Sequence, residues 1–172
     1  MSLPQSTPDR RTVILGFPLI AIFFIAGCAR KIYRNDLNDT ERKLWAGRIS
    51  LQIQSDPAQA FFAGFELTGL AERGELLLTS PVGNVLGILR WSADEAFLES
   101  GNDVKRFTSV DALLEQTTGA AIPIAALFDW LKGTNTQLNG WSADLSGLDT
   151  GRIVATRAEP APQIRLRILL DQ

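Results

Sequence analysis

The chain has 172 residues, with 17 basic and 19 acidic side chains, one cysteine and no histidine, and its net charge is −2. The absence of histidine excludes Ser-His-Asp and Cys-His catalytic constellations and His-ligated zinc, and one cysteine cannot form an internal disulfide. No basic excess points to a nucleic-acid partner. We therefore expect a non-enzymatic protein without metal or other cofactor. The acidic pair Asp94-Glu95 leaves a two-carboxylate glycosidase open on residue types alone, although a solvated turn is the favoured interpretation.

The chain begins with the pattern of an export signal. A basic pair precedes an apolar run that is shorter than the roughly 20 residues needed to cross a bilayer. The run ends in Ile-Ala-Gly-Cys at Cys28, which resembles the lipobox of bacterial lipoproteins, where the cysteine is acylated after cleavage before it. We predict a signal peptide at residues 1–27, a lipidated tether at 28–38 and one domain at 39–172. The short tether keeps the domain close to its membrane.

Residues 39–45 are predicted to form a short helix, and strands follow. Ile49, Leu51 and Ile53 alternate with polar residues, as in a strand with one buried face. Similar runs recur between short turns rich in Gly, Asn, Asp and Ser, which predicts an antiparallel sheet of meander type. The predicted strands cover residues 49–53, 61–68, 75–79, 85–91, 96–99, 104–107, 141–145, 152–157 and 164–170.

Two helices are predicted between the sixth and seventh strands. Ser109 is a suitable N-cap for a helix over 110–117, and a glycine follows at the other end. A second helix covers 122–133, with Pro123 tolerated in its first turn. Both helices carry apolar stripes, so the chain has more apolar surface than one contact between layers needs. We expect the helices to cross the open side of a strongly curved sheet, leaving either an apolar cavity or a filled core.

The turn after the third strand carries an apolar residue at its tip. Pro81 and Gly83 force a turn that places Val82 where hairpins usually have polar residues. The pattern by itself favours a tip buried against the protein. An exposed apolar tip would instead indicate contact with lipid or with a partner protein.

Several segments taken together resemble the LolB family, the outer-membrane lipoprotein receptors of the lipoprotein-localisation pathway. The order and spacing of these segments carry the resemblance along the whole chain from Cys28 onward. The segments are the lipobox at Cys28, Trp45-Ala46-Gly47-Arg48, Leu77-Leu78-Thr79-Ser80-Pro81-Val82-Gly83, Phe107-Thr108, and Ile122-Pro123-Ile124 with Leu127, Trp130, Leu131 and Gly133.

This resemblance implies an incomplete antiparallel β-barrel with a helical lid around a hydrophobic cavity. It also implies a monomeric, lipid-anchored protein of the outer membrane that faces the periplasm. A LolA-like carrier would deliver cargo lipoproteins, whose acyl chains occupy the cavity before insertion into the membrane. Ala29 is not the aspartate that retains many lipoproteins at the inner membrane.

The resemblance assigns candidate sites as well. The family's loop bears an exposed leucine needed for insertion, and Val82, between Pro81 and Gly83, takes its place with one methylene fewer, worth about 0.8 kcal/mol of burial. The residues expected to line the cavity are Phe61, Phe65, Leu67, Leu77, Leu86, Ile88, Leu113, Leu127 and Trp130. An envelope scaffold with a filled core is the alternative, and a hydrolase would need polar groups that converge inside the pocket.

Overall fold

The computed structural model describes residues 44–172, which belong to one compact unit. The predicted signal peptide, Cys28, the tether and most of the predicted helix at 39–45 lie outside this part. Leu44 and Trp45, predicted to end that helix, instead begin the first strand. The alternation of buried and exposed side chains starts with these two residues, so the strand is longer than the sequence pattern indicated.

Within residues 44–172, nine strands form one antiparallel sheet. They are β1 (Leu44–Ile53), β2 (Gln59–Leu70), β3 (Arg73–Thr79), β4 (Val85–Trp91), β5 (Ala96–Ser100), β6 (Asp103–Phe107), β7 (Trp141–Asp144), β8 (Arg152–Arg157) and β9 (Ile164–Leu170). The order is β6-β5-β4-β3-β2-β1-β9-β8-β7, so β1 and β9 pair near the middle while β6 and β7 stay unpaired with each other at the edges. This confirms a mainly β, antiparallel fold with a sheet that does not close.

Two helices connect β6 to β7, as predicted. Helix α1 is Val110–Thr118 and α2 is Ile124–Leu131. The Ser109 side chain accepts a hydrogen bond from a backbone N–H in the first turn of α1, and Gly119 ends this helix with a φ of 70°. No helix within residues 44–172 has the length and apolar character required to span a membrane.

Aromatic side chains join α2 to the sheet. Phe128 of α2 packs edge-on against Trp45 and Trp91, with ring centroids 5.5 and 6.4 Å apart. Trp130 and Trp141 pack at 6.1 Å, and each indole N–H donates to a backbone carbonyl. These contacts place the core on one face of the sheet, which we call the helix face.

Strand alternation gives the sheet a second, outer face. Leu51, Phe65 and Leu166 point toward the core and are almost fully buried. Their neighbours in sequence, such as Ser50 and Arg165, point the other way and are partly exposed. The two faces therefore carry different chemistry at the same positions of the sheet.

Candidate functional site

A pocket of about 350 Å³ opens on the helix face between the first five strands and the last turn of α1. Its lining contains no charged side chain. It consists of Leu51, Ile53, Gln59, Ala60, Phe61, Leu78, Leu86, Gly87, Leu89, Leu98, Leu114, Thr117 and Thr118. The volume lies at the lower end of the roughly 300 to 1,000 Å³ typical of ligand pockets. Walls of this kind suit a hydrocarbon ligand better than a charged one.

A β-bulge shapes the mouth of this pocket. Leu78 pairs with Gly87, but the next residue of β3, Thr79, pairs with Val85, which leaves Leu86 as an extra residue in β4. Regular alternation would place Leu86 on the outer face. The bulge redirects its side chain to the mouth of the pocket, where it is 40% exposed.

The nine residues predicted to line a cavity fall into three groups. Phe61 and Leu86 line the pocket at its mouth. Five others are packed in the hydrophobic core, namely Phe65, Leu67, Leu113, Leu127 and Trp130. Leu77 and Ile88 lie opposite each other and alternate with the lining residues Leu78 and Leu89, so they belong to the outer face. The structure thus brings two of the nine to the pocket.

Sequence reasoning missed six of the apolar side chains in the lining, which are Leu51, Ile53, Leu78, Leu89, Leu98 and Leu114. For Leu51 and Ile53 the signal was present, because their alternation with polar residues marks the buried face of β1. In the run Leu76-Leu77-Leu78 every residue is apolar, so the sequence does not show which of the three points inward.

The turn between β3 and β4 presents an apolar tip. Val82 is 82% exposed, which corrects the expectation of a buried tip. Gly83 N–H donates to Ser80 O at 2.8 Å, Ser80 N–H donates to Asn84 O at 2.8 Å, and Asn84 N–H donates to Ser80 Oγ at 3.1 Å. Gly83 has a φ of 87°, in the left-handed region, as in three-residue hairpin loops that end on glycine. These bonds hold Val82 away from the sheet.

Val82 is part of a larger exposed patch, which we call the apolar rim and which consists of Phe61, Phe62, Val82, Val85 and Leu86. β3 ends at Thr79, opposite Gly64 of β2, so the two phenylalanines lie alongside the turn. Phe61 and Leu86 also line the pocket, so the mouth of the pocket opens within the rim.

The described ionisable groups with shifted pKa values lie away from the pocket. Arg90 bridges Glu75, at 2.6 Å, and Glu99 on the outer face. Burial by itself lowers the pKa of Arg90, but the hydrogen bonds and charges of both carboxylates outweigh it and raise the pKa. Hydrogen bonds from Ser146 lower the pKa of Asp144.

Residues 44–172 contain no group of three or more Asp, Glu, His or Cys side chains placed to hold a metal ion.

An unclosed antiparallel sheet, a helical layer on one face and an uncharged pocket define a mainly β protein with a site suited to apolar ligands. The family model described as outer membrane lipoprotein LolB matches residues 44–167, which include β1 to β8, both helices and the first four residues of β9. The chain belongs to the LolB family.

Similar proteins named outer-membrane lipoprotein LolB occur in several bacteria. The protein of Ralstonia nicotianae is 33% identical, and the match covers 89% of this chain and 93% of that protein. The protein of Cupriavidus taiwanensis is 35% identical over 88% of this chain and 73% of its own length. The protein of Bordetella petrii is 27% identical over 72% of this chain and 74% of its own length.

Proposed function

We propose that this protein is a non-catalytic receptor, anchored to the outer membrane, that takes lipoproteins from a LolA-like periplasmic carrier and inserts them into that membrane. In this proposal the acyl chains of the cargo bind in the pocket of the helix face. The observation that carries the proposal is the position of this uncharged pocket, whose mouth opens within the apolar rim around Val82. Membership of the LolB family supports the same assignment.

The physical requirement for such a receptor is shelter from water. Each methylene of an acyl chain exposed to water costs about 0.8 kcal/mol, so a lipoprotein with several chains needs an apolar site at every step across an aqueous space. No nucleotide is required, because cargo moves from a weaker site to a stronger one and finally into lipid. The predicted signal peptide at 1–27 and lipidated tether at 28–38, with Cys28, would hold the receptor at its membrane.

The pocket needs room for its cargo, and α1 is the element that can provide it. Leu114, Thr117 and Thr118 of α1 form one wall, and α1 contacts the sheet mainly at β5 and at the edge strand β6. In the proposal α1 acts as the lid. Its outward movement would join the pocket to the space now filled by core residues such as Phe65 and Leu113.

The alternative is an envelope scaffold with a filled core. The packing of Phe65, Leu67, Leu113, Leu127 and Trp130 in the core is the observation that favours it. The pocket of about 350 Å³ argues against it, because a scaffold has no need of an apolar hollow open to solvent. A hydrolase is less well supported than either, since the pocket offers two threonines and a glutamine but no group able to act as a strong acid or base.

Binding of a fluorescent fatty acid separates these functions. Thr117→Trp places a large side chain in the pocket wall and is expected to weaken binding at least about tenfold, which corresponds to about 1.4 kcal/mol. Gln116→Trp is the matched control, because Gln116 is the preceding residue of α1, is exposed and does not line the pocket. Bound fatty acid should also be displaced by an acylated lipoprotein. If Thr117→Trp and Gln116→Trp bound the fatty acid with equal affinity, or if the parent protein bound it without saturation, the scaffold function would be favoured.

A further inference from the structure

The outer face carries a second concave surface at the same end of the sheet. This groove has a volume of about 800 Å³ and runs over β8, β9, β1 and the beginning of β2. Arg48, Arg152, Arg165 and Arg167 line it, and we call it the arginine groove. Phe62 and Pro81 form its end next to the apolar rim.

Strand register shows how closely the four arginines are placed. Leu169 of β9 lies between Arg48 of β1 and Arg152 of β8, and Arg167 and Arg165 occupy the next two outward positions of β9. With strands about 4.8 Å apart and about 3.4 Å per residue, the four side chains start from an area of about 10 by 14 Å. Such a cluster of like charges is unfavourable unless it meets an anion.

The described part of the protein neutralises this cluster only in part. No carboxylate among residues 44–172 forms an ion pair with any of the four arginines. On β2, Gly64 pairs with Arg48, and Glu66 is the next residue of that strand on the outer face. Asp144 of β7 interacts electrostatically with Arg152, although the two form no ion pair and the hydrogen bonds of Asp144 come from Ser146. The groove therefore keeps a local positive charge in a chain whose net charge is −2.

We propose that the arginine groove binds the phosphate groups of anionic phospholipids at the membrane surface. Guanidinium groups match phosphate oxygens in charge and in the geometry of their paired N–H donors. The groove is continuous with the apolar rim through Phe62 and Pro81, and basic side chains beside an exposed apolar patch are typical of proteins that lie in a membrane interface. When Val82 enters the lipid, these arginines lie over the headgroups.

This inference deepens the proposed function, since it rests on a receptor that works at a membrane, and it can be tested without cargo. The protein from Asp36 onward is suitable because it contains the whole described sheet and core. The experiment measures how tightly this protein binds two kinds of vesicle. The anionic vesicles contain phosphatidylcholine and phosphatidylglycerol in equal parts, and the uncharged vesicles contain phosphatidylcholine alone. The variant is Arg165→Gln with Arg167→Gln.

The variant is expected to bind the anionic vesicles about 25-fold more weakly than the parent protein, since each arginine near an anionic surface contributes about fivefold. Lys105→Gln with Arg106→Gln removes the same charge from β6 at the far edge of the sheet and should bind within about twofold of the parent protein. The difference between the variants should disappear on phosphatidylcholine vesicles. Circular dichroism should be unchanged and Tm should not fall, because Arg165 and Arg167 point away from the core and their removal relieves repulsion between like charges.

Three outcomes would overturn the inference. Equal loss of binding in both variants would show that only total charge matters. Competition by inorganic phosphate at constant ionic strength would identify a site for free phosphate. Normal vesicle binding with impaired transfer from a loaded carrier would identify a docking site for an acidic protein. Fatty-acid binding by the arginine variant should be unchanged, and Thr117→Trp should leave vesicle binding intact, so failure of this inference and failure of the proposed function remain distinguishable.

Discussion

The tip of the turn between β3 and β4 is the position where one side chain can be changed with least effect on the fold. Val82 is 82% exposed, and the hydrogen bonds of the turn come from Ser80, Gly83 and Asn84. Val82→Leu and Val82→Glu should therefore alter the free energy of unfolding by no more than about 0.5 kcal/mol. Any larger effect on membrane binding or cargo insertion then reports on the tip itself.

The expected magnitudes follow from the exposed area. Complete burial of a valine side chain is worth about 1.5 kcal/mol or more, and nearly all of that surface is available at Val82. Val82→Leu adds one methylene, about 0.8 kcal/mol, and should strengthen binding to uncharged vesicles about fourfold. Val82→Glu loses the apolar contact and places a carboxylate at the interface, so binding should weaken at least about tenfold.

Two assays check this prediction, namely flotation with phosphatidylcholine vesicles and insertion of a lipoprotein from a loaded carrier. Val104→Glu is the matched control, because Val104 is 64% exposed on the edge strand β6 and lies outside the apolar rim. If Val82→Glu inserted cargo as well as the parent protein, or if Val104→Glu were equally impaired, the rim would not be the part that meets the membrane.

Three further predictions concern stability and ionisation. Gly83→Ala should lower the free energy of unfolding, measured in urea, by about 1 kcal/mol. A Cβ would meet no atom within 4 Å, but the φ of 87° disfavours any residue with a side chain. Gly83→Asn should lower the free energy of unfolding less, because asparagine tolerates this region better than alanine. Leu113→Ala should lower it by about 2 to 5 kcal/mol, since Leu113 is fully buried. Ser146→Ala should raise the pKa of Asp144, followed by NMR, toward its ordinary value. Because folding lowers the pKa of Asp144, its ionised carboxylate stabilises the folded protein at pH values above the ordinary pKa. This stabilisation is lost as the pH falls through the pKa of the folded state. An Asp144 titration that Ser146→Ala leaves unchanged would contradict the prediction.

The sequence predicted the local elements well where turn residues mark their ends. The predicted ranges 85–91, 152–157 and 164–170 match β4, β8 and β9. β4 and β8 lie between short polar or glycine-containing turns, and β9 follows a segment with two prolines. The N-cap at Ser109 and the end of α1 at Gly119 were also predicted, because capping depends on side chains within one turn of the helix. Such features need no knowledge of distant contacts.

Long-range pairing and side-chain direction were harder to predict. A simple meander accounts for β1 to β6, but β9 returns to pair with β1, an arrangement that depends on residues more than 100 positions apart. The predicted side-chain direction was wrong for Leu77 and Ile88, which lie in strands with several consecutive apolar residues. Sequence patterning therefore identified the apolar surface correctly but did not divide it between pocket, core and outer face.

Strand alternation also explains how one end of a sheet can serve two kinds of contact. Leu51 and Ile53 of β1 face the pocket, whereas Arg48 of the same strand faces the arginine groove. The apolar rim lies between these surfaces, and its members Phe61 and Phe62, consecutive residues of β2, contact one each. A membrane that receives Val82 would meet the groove with its phosphates and the mouth of the pocket with its acyl layer. A single orientation thus satisfies both proposals, because a cargo chain leaving the pocket would enter lipid without crossing water.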